Sequence, residues 1–358
     1  MIPGNRWTVE QASVVWGISP EKVSGYCRRG SIPGAEYADG SWLIPAGAEK
    51  PRDAASGQAK PFLKWAGGKG QLLDSIRRAY PPGLGKDITK YAEPFVGGGA
   101  VLFDILNTYE GIEKAYISDV NSELICTYTA VRDRAEELIS LLGDYQERHL
   151  SLDADGRKKY YAGNRIRYNR QMLSPDPDPL EVASLFIYLN KTCFNGLYRV
   201  NSGGLFNVPA GRYKNPVICD ADNIRRVSEK LQKVTIENKR YDESRDFIDG
   251  NTFVYFDPPY RPLTDSSNFT SYTEYSFDDD DQRALAGYVR ELSDAGAKVS
   301  VSNSDPRNTD PGDSFFDDLY SFAHVRRVAA NRMINSKPGR RGKISEILVT
   351  NYEIPEKW

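Results

Sequence analysis

The sequence predicts an α/β protein with a largely parallel sheet, interrupted by a mainly helical insertion and preceded by a small separate unit. Three observations predict it. From about residue 61, short apolar runs of strand character alternate with helical stretches, as parallel strands joined by crossover helices do. Two of these runs end on an aspartate, Asp119 and Asp257, and another leads into Gly97-Gly98-Gly99, the punctuation expected at the carboxyl ends of parallel strands. Between Asp119 and Asp257 the alternation stops. The pattern there is mostly helical to about Tyr188, then rich in Gly, Asn and aromatic residues, as an inserted subdomain would be.

Residues 1–46 read as a winged helix-turn-helix. Thr8-Val9-Glu10-Gln11 is a capping box opening a helix to about Trp16, and Gly17 turns the chain. Ser19 and Pro20 supply the N-cap and first position of a second helix that Gly30 stops. Extended runs near Ala35–Tyr37 and Trp42–Ile44 flank Asp39-Gly40, a hairpin turn signal. Arg28 and Arg29 end the second helix, the one such a unit presents to DNA. Residues 47–60, small, polar and proline-containing, form a linker. Beyond it, strands are expected at Lys90–Phe95, Ala115–Ser118, Thr252–Phe256 and Lys298–Ser302. A helix is expected at Ala100–Leu106, and a closing strand pair at His324–Ala330 and Ile344–Tyr352. The sheet domain then comprises 61–121 and 220–358, and the insertion 122–219.

Composition narrows the classes. The chain has 358 residues, 40% hydrophobic and 27% charged, proportions of a globular protein. It has no apolar run long enough to span a bilayer and no signal-peptide pattern, so a cytoplasmic protein without a membrane partner is expected. Cys27, Cys126, Cys193 and Cys219 lie far apart and only His149 and His324 accompany them, which argues against a disulfide framework and predicts no metal. A net charge of −2 hides segregation. Arg157 to Arg170 holds six basic and no acidic residues, Lys191 to Cys219 four and none, Tyr320 to Ser345 seven and none. Such runs can form a basic face that holds phosphates, although solvated faces give the same pattern.

The strongest chemical signal is Asp257-Pro258-Pro259-Tyr260, directly after the apolar run FVYF. Two prolines fix the backbone and leave the Pro258 carbonyl without a ladder partner. A carboxylate and a pointed carbonyl can together accept both hydrogens of an amino group, and the tyrosine ring offers a face to a flat base. A second element, Glu93-Pro94-Phe95-Val96-Gly97-Gly98-Gly99, lets backbone approach a nucleoside-type cofactor closely. Asp119 follows Gly97 by 22 residues at the next strand's end, where a carboxylate commonly takes ribose hydroxyls. On these residues alone a hydride-transfer enzyme stays open. A third element, Phe62-Leu63-Lys64-Trp65-Ala66-Gly67-Gly68-Lys69, lacks the spacing of a P-loop.

The three elements in this order resemble the Dam-like family of DNA adenine methyltransferases, which methylate the adenine of GATC. FLKWAGGK, EPFVGGG, SDVNSEL, FNGLYRVN, FNVPAGRYKNP, DPPYRPL, NFTSYTEYSF and VSNSD carry the likeness, in family order, from about Pro61 to Tyr352. The resemblance implies a Rossmann-like S-adenosylmethionine-dependent methyltransferase fold, with residues 122–219 as the target-recognition subdomain. It implies cofactor contacts from Trp65, Lys69, Glu93, Phe95, Gly97, Asp119 and Asp257, with Asp119 at the ribose. It also implies double-stranded DNA from which the target adenine is rotated out, since its amino group is unreachable inside the stack. Tyr260 would stack on that base, Asp257 and the Pro258 carbonyl would hold its amino group, and transfer would be direct and in line. Base reading would fall to Leu197, Arg199 and Pro209, with Arg199 suited to a bidentate guanine contact and Lys64 reaching the first guanine. Asn195, Arg212 and Tyr213 match phosphate- or base-proximal positions. Phe194 stands where the family has tyrosine and would wedge near the flipped base. The Ser202–Leu205 stretch departs from the more polar family pattern. The amino-terminal unit resembles the winged helix-turn-helix domains of excisionases and MerR-type regulators, in WTVEQASVVWGISPEKVSGYCRRGSIPGA and SWLIP. An amino-methyltransferase acting on cytosine or RNA, and a non-catalytic DNA-binding regulator, stand as alternatives. A companion restriction endonuclease is compatible with the sequence.

Overall fold

A computed structural model of the chain describes residues 6–28, 32, 34–38, 41–50, 57–65, 67–262, 277–331 and 343–354. The chain forms two compact units, Met1–Gln58 and Ala59–Trp358. In the first, β1 (Arg6–Trp7) leads into α1 (Val9–Trp16) and α2 (Pro20–Arg28), followed by β2 (Glu36–Ala38) and β3 (Ser41–Pro45). The expected capping box forms: Thr8 accepts from the Gln11 amide while the Gln11 side chain reaches the Thr8 amide. Gly17 ends the helix at φ 63°, a left-handed conformation that costs glycine nothing. Ala12, Val23, Tyr26, Cys27, Ile32 and Ile44 make a separate small core. The sequence reading missed β1, which pairs antiparallel with β3; two residues are too few to show alternation. Gly30, Arg29 and the Asp39-Gly40 turn lie outside the described residues, as does the Arg28 side chain.

The second unit is a seven-stranded sheet in the order β6-β5-β4-β7-β8-β10-β9. Its strands are β4 (Lys90–Glu93), β5 (Lys114–Ser118), β6 (Val234–Glu237), β7 (Thr252–Phe256), β8 (Lys298–Ser304), β9 (His324–Asn331) and β10 (Lys343–Thr350). β6 to β8 run parallel, and β10 lies antiparallel between β8 and β9. The expected α/β architecture with a mostly parallel sheet is present. β4 ends at Glu93, two residues earlier than expected, because Pro94 has no amide to continue the ladder. β6 was missed too: VTIE is short and half polar, as an edge strand is.

Helices cover both faces. They are α3 (Leu73–Arg78), α4 (Ala100–Thr108), α5 (Ser122–Asp133), α6 (Ala135–Ser151), α7 (Ala154–Met172), α8 (Pro179–Thr192), α9 (Ala221–Leu231), α10 (Asp279–Asp294) and α11 (Phe315–Leu319). Central β7 shows why its sequence reads as an unbroken apolar run. Phe253 and Tyr255 enter the core cluster shared with α4, α5, α8 and α9, while Val254 and Phe256 enter the one under α10 and α11. Truncating Phe253 or Phe256 to alanine would cost about 3–5 kcal/mol. Among the described residues no helix is long and apolar enough to cross a membrane.

Candidate active site

Strand order reverses between β4 and β7: the chain leaves β4 toward β5 on one side and β7 toward β8 on the other. The crevice at such a reversal is where parallel sheets bind ligands. Glu93 closes β4 and Asp257 follows β7, so residues 164 positions apart meet at this point.

Asp257 is anchored through one oxygen. Its Oδ1 receives the Lys69 ammonium at 2.7 Å and the Ser302 hydroxyl at 2.9 Å, and Tyr255 in turn donates to Ser302 at 2.9 Å. Among the described residues Oδ2 has no such partner, so it is the oxygen left to accept a hydrogen from a substrate. The following backbone is equally constrained. Buried Gln282 donates to the Pro259 carbonyl at 3.1 Å, Asn303 accepts from the Arg261 amide at 3.0 Å, and Ser304 donates to the Arg261 carbonyl at 2.7 Å. The Arg261 guanidinium grips Asp279 with two hydrogen bonds, at 2.7 and 3.0 Å, and Asp313 with a third at 2.8 Å. Among the described residues nothing donates to the Pro258 carbonyl. Tyr260 donates its hydroxyl to Glu346 at 2.6 Å, and Lys69 sits 4.6 Å from the centre of its ring.

Burial dominates the electrostatics. It pushes the Glu93 carboxyl up to about 8; the Tyr91 hydroxyl, donating at 2.7 Å, opposes this and the neighbouring Asp257 charge adds to it. Burial likewise raises Asp257, with Lys69 and then Ser302 pulling it back. Glu346 is raised by burial against its bond from Tyr260. Three carboxyl groups therefore lie around one ammonium; Glu93 keeps its proton at neutral pH, and Asp257 is the one paired directly with Lys69.

The glycine loop lies beside this cluster and needs its glycines for a local reason. Gly97 has φ 46°, and a Cβ there would come within 2.8 Å of the Trp65 ring. Trp65 thus lies directly over backbone, its other surroundings being Tyr198, stacked at 5.7 Å, and Phe186. Asp119 accepts from the Gly97 amide at 3.3 Å and the Asn121 amide at 3.0 Å, and burial raises its carboxyl. Phe95 stacks on Tyr241 at 5.3 Å. Trp65, Lys69, Glu93, Phe95, Gly97, Asp119 and Asp257 thus gather along one edge of the sheet.

The expected DNA-facing residues form a second group. Lys64, Phe194, Asn195, Arg199, Pro209 and Arg212 are exposed, and Leu197 and Tyr213 half-buried. Buried Asn190 on α8 joins their segments: it accepts from the Lys64 amide at 2.8 Å and donates to the Lys64 and Gly196 carbonyls at 2.7 and 3.2 Å. Asn195 is left-handed at φ 55°, which an asparagine tolerates, and presents Phe194 outward, half exposed. Lys64 sits 4.0 Å from the Tyr213 ring centre. Arg199 donates Nε to Asn207 Oδ1 at 2.7 Å, and the Asn207 amide donates back to the Arg199 carbonyl at 3.1 Å. Helix α7 braces the 206–214 loop through Tyr161, Asn169 and Arg157, so part of its basic run is structural. Most of NFTSYTEYSF lies outside the described residues.

Sequence reasoning missed Ser302, Gln282, Asn303, Asn190 and Glu346. Ser302 and Asn303 stand in the VSNSD segment, where polar residues closing an apolar strand were a usable signal. For Gln282, Asn190 and Glu346 no local pattern exists.

The family described as D12 class N6 adenine-specific DNA methyltransferase matches residues 65–334. Type II methyltransferase M.MjaIII of Methanocaldococcus jannaschii is 47% identical over 297 residues, covering 82% of this chain and 100% of that protein. Type II methyltransferase M1.LlaDCHI of Lactococcus lactis subsp. cremoris is 38% identical over 299 residues, 82% of this chain and 95% of its own length. A DNA adenine methylase of Escherichia coli (strain K12) is 36% identical over 289 residues, 81% and 94% of the two chains.

Proposed function

Because this chain belongs to the D12 class of N6 adenine-specific DNA methyltransferases, an enzyme family that methylates adenine in DNA, we propose that its target is the adenine of GATC in duplex DNA, extruded into the crevice at Asp257–Tyr260. The observation that carries the reading is the anchoring of Asp257 through Oδ1 alone, beside a Pro258 carbonyl that takes no donor among the described residues. Two acceptors are what a flat, delocalised amino group needs if its nitrogen is to become nucleophilic. Asp257 and Pro258 accept its hydrogens, Pro259 and Gln282 fix the turn, and Tyr260 stacks on the base. Catalysis is then positioning and electrostatics, with no covalent enzyme intermediate.

S-adenosylmethionine is the proposed donor, supplying a methyl group on a cationic sulfur. The residues fit it: backbone without side chains at Gly97, a carboxylate at Asp119 for a ribose, aromatic faces at Trp65 and Phe95, and the Asp257 carboxylate beside Lys69 for the sulfonium. Within this reading, 61–121 with 220–358 are the catalytic domain and 122–219 the target-recognition subdomain. Lys64, Phe194, Asn195, Leu197, Arg199, Pro209, Arg212 and Tyr213 face DNA, Arg199 reading a guanine. Residues 1–46 are a second DNA-binding module of winged helix-turn-helix type, acting through Arg28 and Arg29 and tethered by residues 47–60.

Expression in a methylation-deficient host, followed by mapping of N6-methyladenine across the genome, tests the reading. Modification of GATC is expected; methyladenine concentrated in another sequence would overturn the specificity.

A further inference from the structure

We propose that Glu346, on the strand inserted between β8 and β9, is the positioning residue for Tyr260, holding the stacking ring by its hydroxyl in the orientation that receives the extruded base. The inference rests on the reading of Tyr260 as the stacking residue. Three observations carry it.

The first is register. β10 is antiparallel, so its first residues lie at the sheet edge where the parallel strands end. Glu346 stands opposite Ser304, the last residue of β8, and Ser304 itself holds the Arg261 carbonyl one residue beyond Tyr260. A carboxylate on β10 reaches the crevice only from such a position.

Burial is the second. Ile347 and Leu348, the next two residues, enter the two opposite core clusters. A part-buried carboxylate beside them, already facing the charge of Asp257, is costly unless a specific donor satisfies it. Tyr260 is that donor, at 2.6 Å.

The third is the division of labour on Tyr260. Pro258 and Pro259 fix the backbone up to the tyrosine but leave its side-chain torsions free. Lys69 stands over the ring at 4.6 Å and Glu346 holds the hydroxyl at the far end. The ring is thus held on one face and at its hydroxyl before a base arrives, and the entropy of ordering it is not charged to the extrusion step.

The test is a double-mutant cycle in the full chain, with turnover measured on a duplex carrying adenine at the position methylated in vivo and base extrusion measured on a matched duplex carrying 2-aminopurine there, which has no 6-amino group and is not methylated. Tyr260→Phe, which removes the hydroxyl and keeps the ring, and Glu346→Ala are each expected to lower kcat/KM by about 10- to 100-fold, the worth of a hydrogen bond to a charged group. Both should change the 2-aminopurine emission of the bound complex. Glu346→Gln keeps an acceptor and should recover about half of that loss on a logarithmic scale. In the Tyr260→Phe background, either Glu346 change should have almost no further effect, since the partner is already gone. Additive losses in that background, or unchanged emission in Glu346→Ala, overturn the proposal. Should Glu346→Ala not fold, the cycle of Glu346→Gln with Tyr260→Phe decides the question. Tyr260→Ala separates this inference from the reading beneath it. A Tyr260→Ala enzyme with undiminished turnover and emission refutes the stacking role. A defective Tyr260→Ala alongside an additive Glu346 refutes the positioning role alone.

Discussion

Ser302 Oγ donates to Asp257 Oδ1, the same carboxylate oxygen that Lys69 already holds, so the two donors orient the carboxylate as a hinge pin would and leave its other oxygen toward the crevice. In the proposed reading, the acceptor of the amino group is preset by these two donors.

Removing the acceptor and removing its support should differ in degree. Asp257→Ala is expected to abolish methyl transfer while the protein folds normally, since the residue lies past the end of β7. Ser302→Ala should leave KM for DNA near its original value and lower kcat by about 10- to 100-fold, the loss of one hydrogen bond to a charged group. Single-turnover methylation measures both; near-normal turnover in Asp257→Ala would contradict the chemistry.

Lys69→Met should shift the pH profile. Lys69 holds the Asp257 carboxyl down against burial. Without the ammonium, protonation of Asp257 moves to higher pH, so the acid limb of kcat against pH moves upward. An unmoved limb would mean that the ion pair does not set the charge state of Asp257.

Glu93 makes a claim on stability instead of rate. Its folded-state pKa is about 8 against an ordinary 4.5. Between those values the folded protein keeps a proton that the unfolded chain has lost, so this group's contribution is full below the lower value and declines as pH rises to the upper one. Glu93→Gln removes the dependence. The melting temperature of Glu93→Gln relative to the parent should rise from about pH 5 to about pH 8, and a constant difference would be the contrary result.

Arg199→Ala should relax discrimination at one guanine by about 1–3 kcal/mol, the worth of a bidentate base contact. Competition between GATC and singly altered duplexes measures it. Equal weakening on every duplex would assign Arg199 to phosphate.

Deleting residues 1–55 should leave turnover on short duplexes nearly unchanged, because the family match lies wholly in the second unit. Affinity for long DNA should drop, and Arg28→Ala with Arg29→Ala should reproduce the loss. Sedimentation distinguishes the alternative, in which the deletion abolishes self-association and spares DNA affinity.

What the sequence disclosed and what it withheld divide along a physical line. β7 and its DPPY were legible because a strand buried on both faces is apolar throughout and stops at chemistry. Thr8–Gln11 was legible because caps are local. Edge strand β6 was not, since exposure gives it no periodicity, and Glu346 was not, since nothing near it in the chain states that β10 would lie beside β8. Gln282 and Asn190 are alike in this: each is a polar residue in a helix whose partner lies far away in sequence.

The placement of β10 also orders the protein's manufacture. It follows every other strand of the sheet in the sequence, yet it occupies an interior place, and without it β8 has an open edge and β9 no neighbour. The hydroxyl of Tyr260 waits for the same strand. A nascent chain with every earlier motif already emerged therefore still holds an unfinished crevice. Within the proposed reading, the crevice is complete only once β10 has taken its place beside β8.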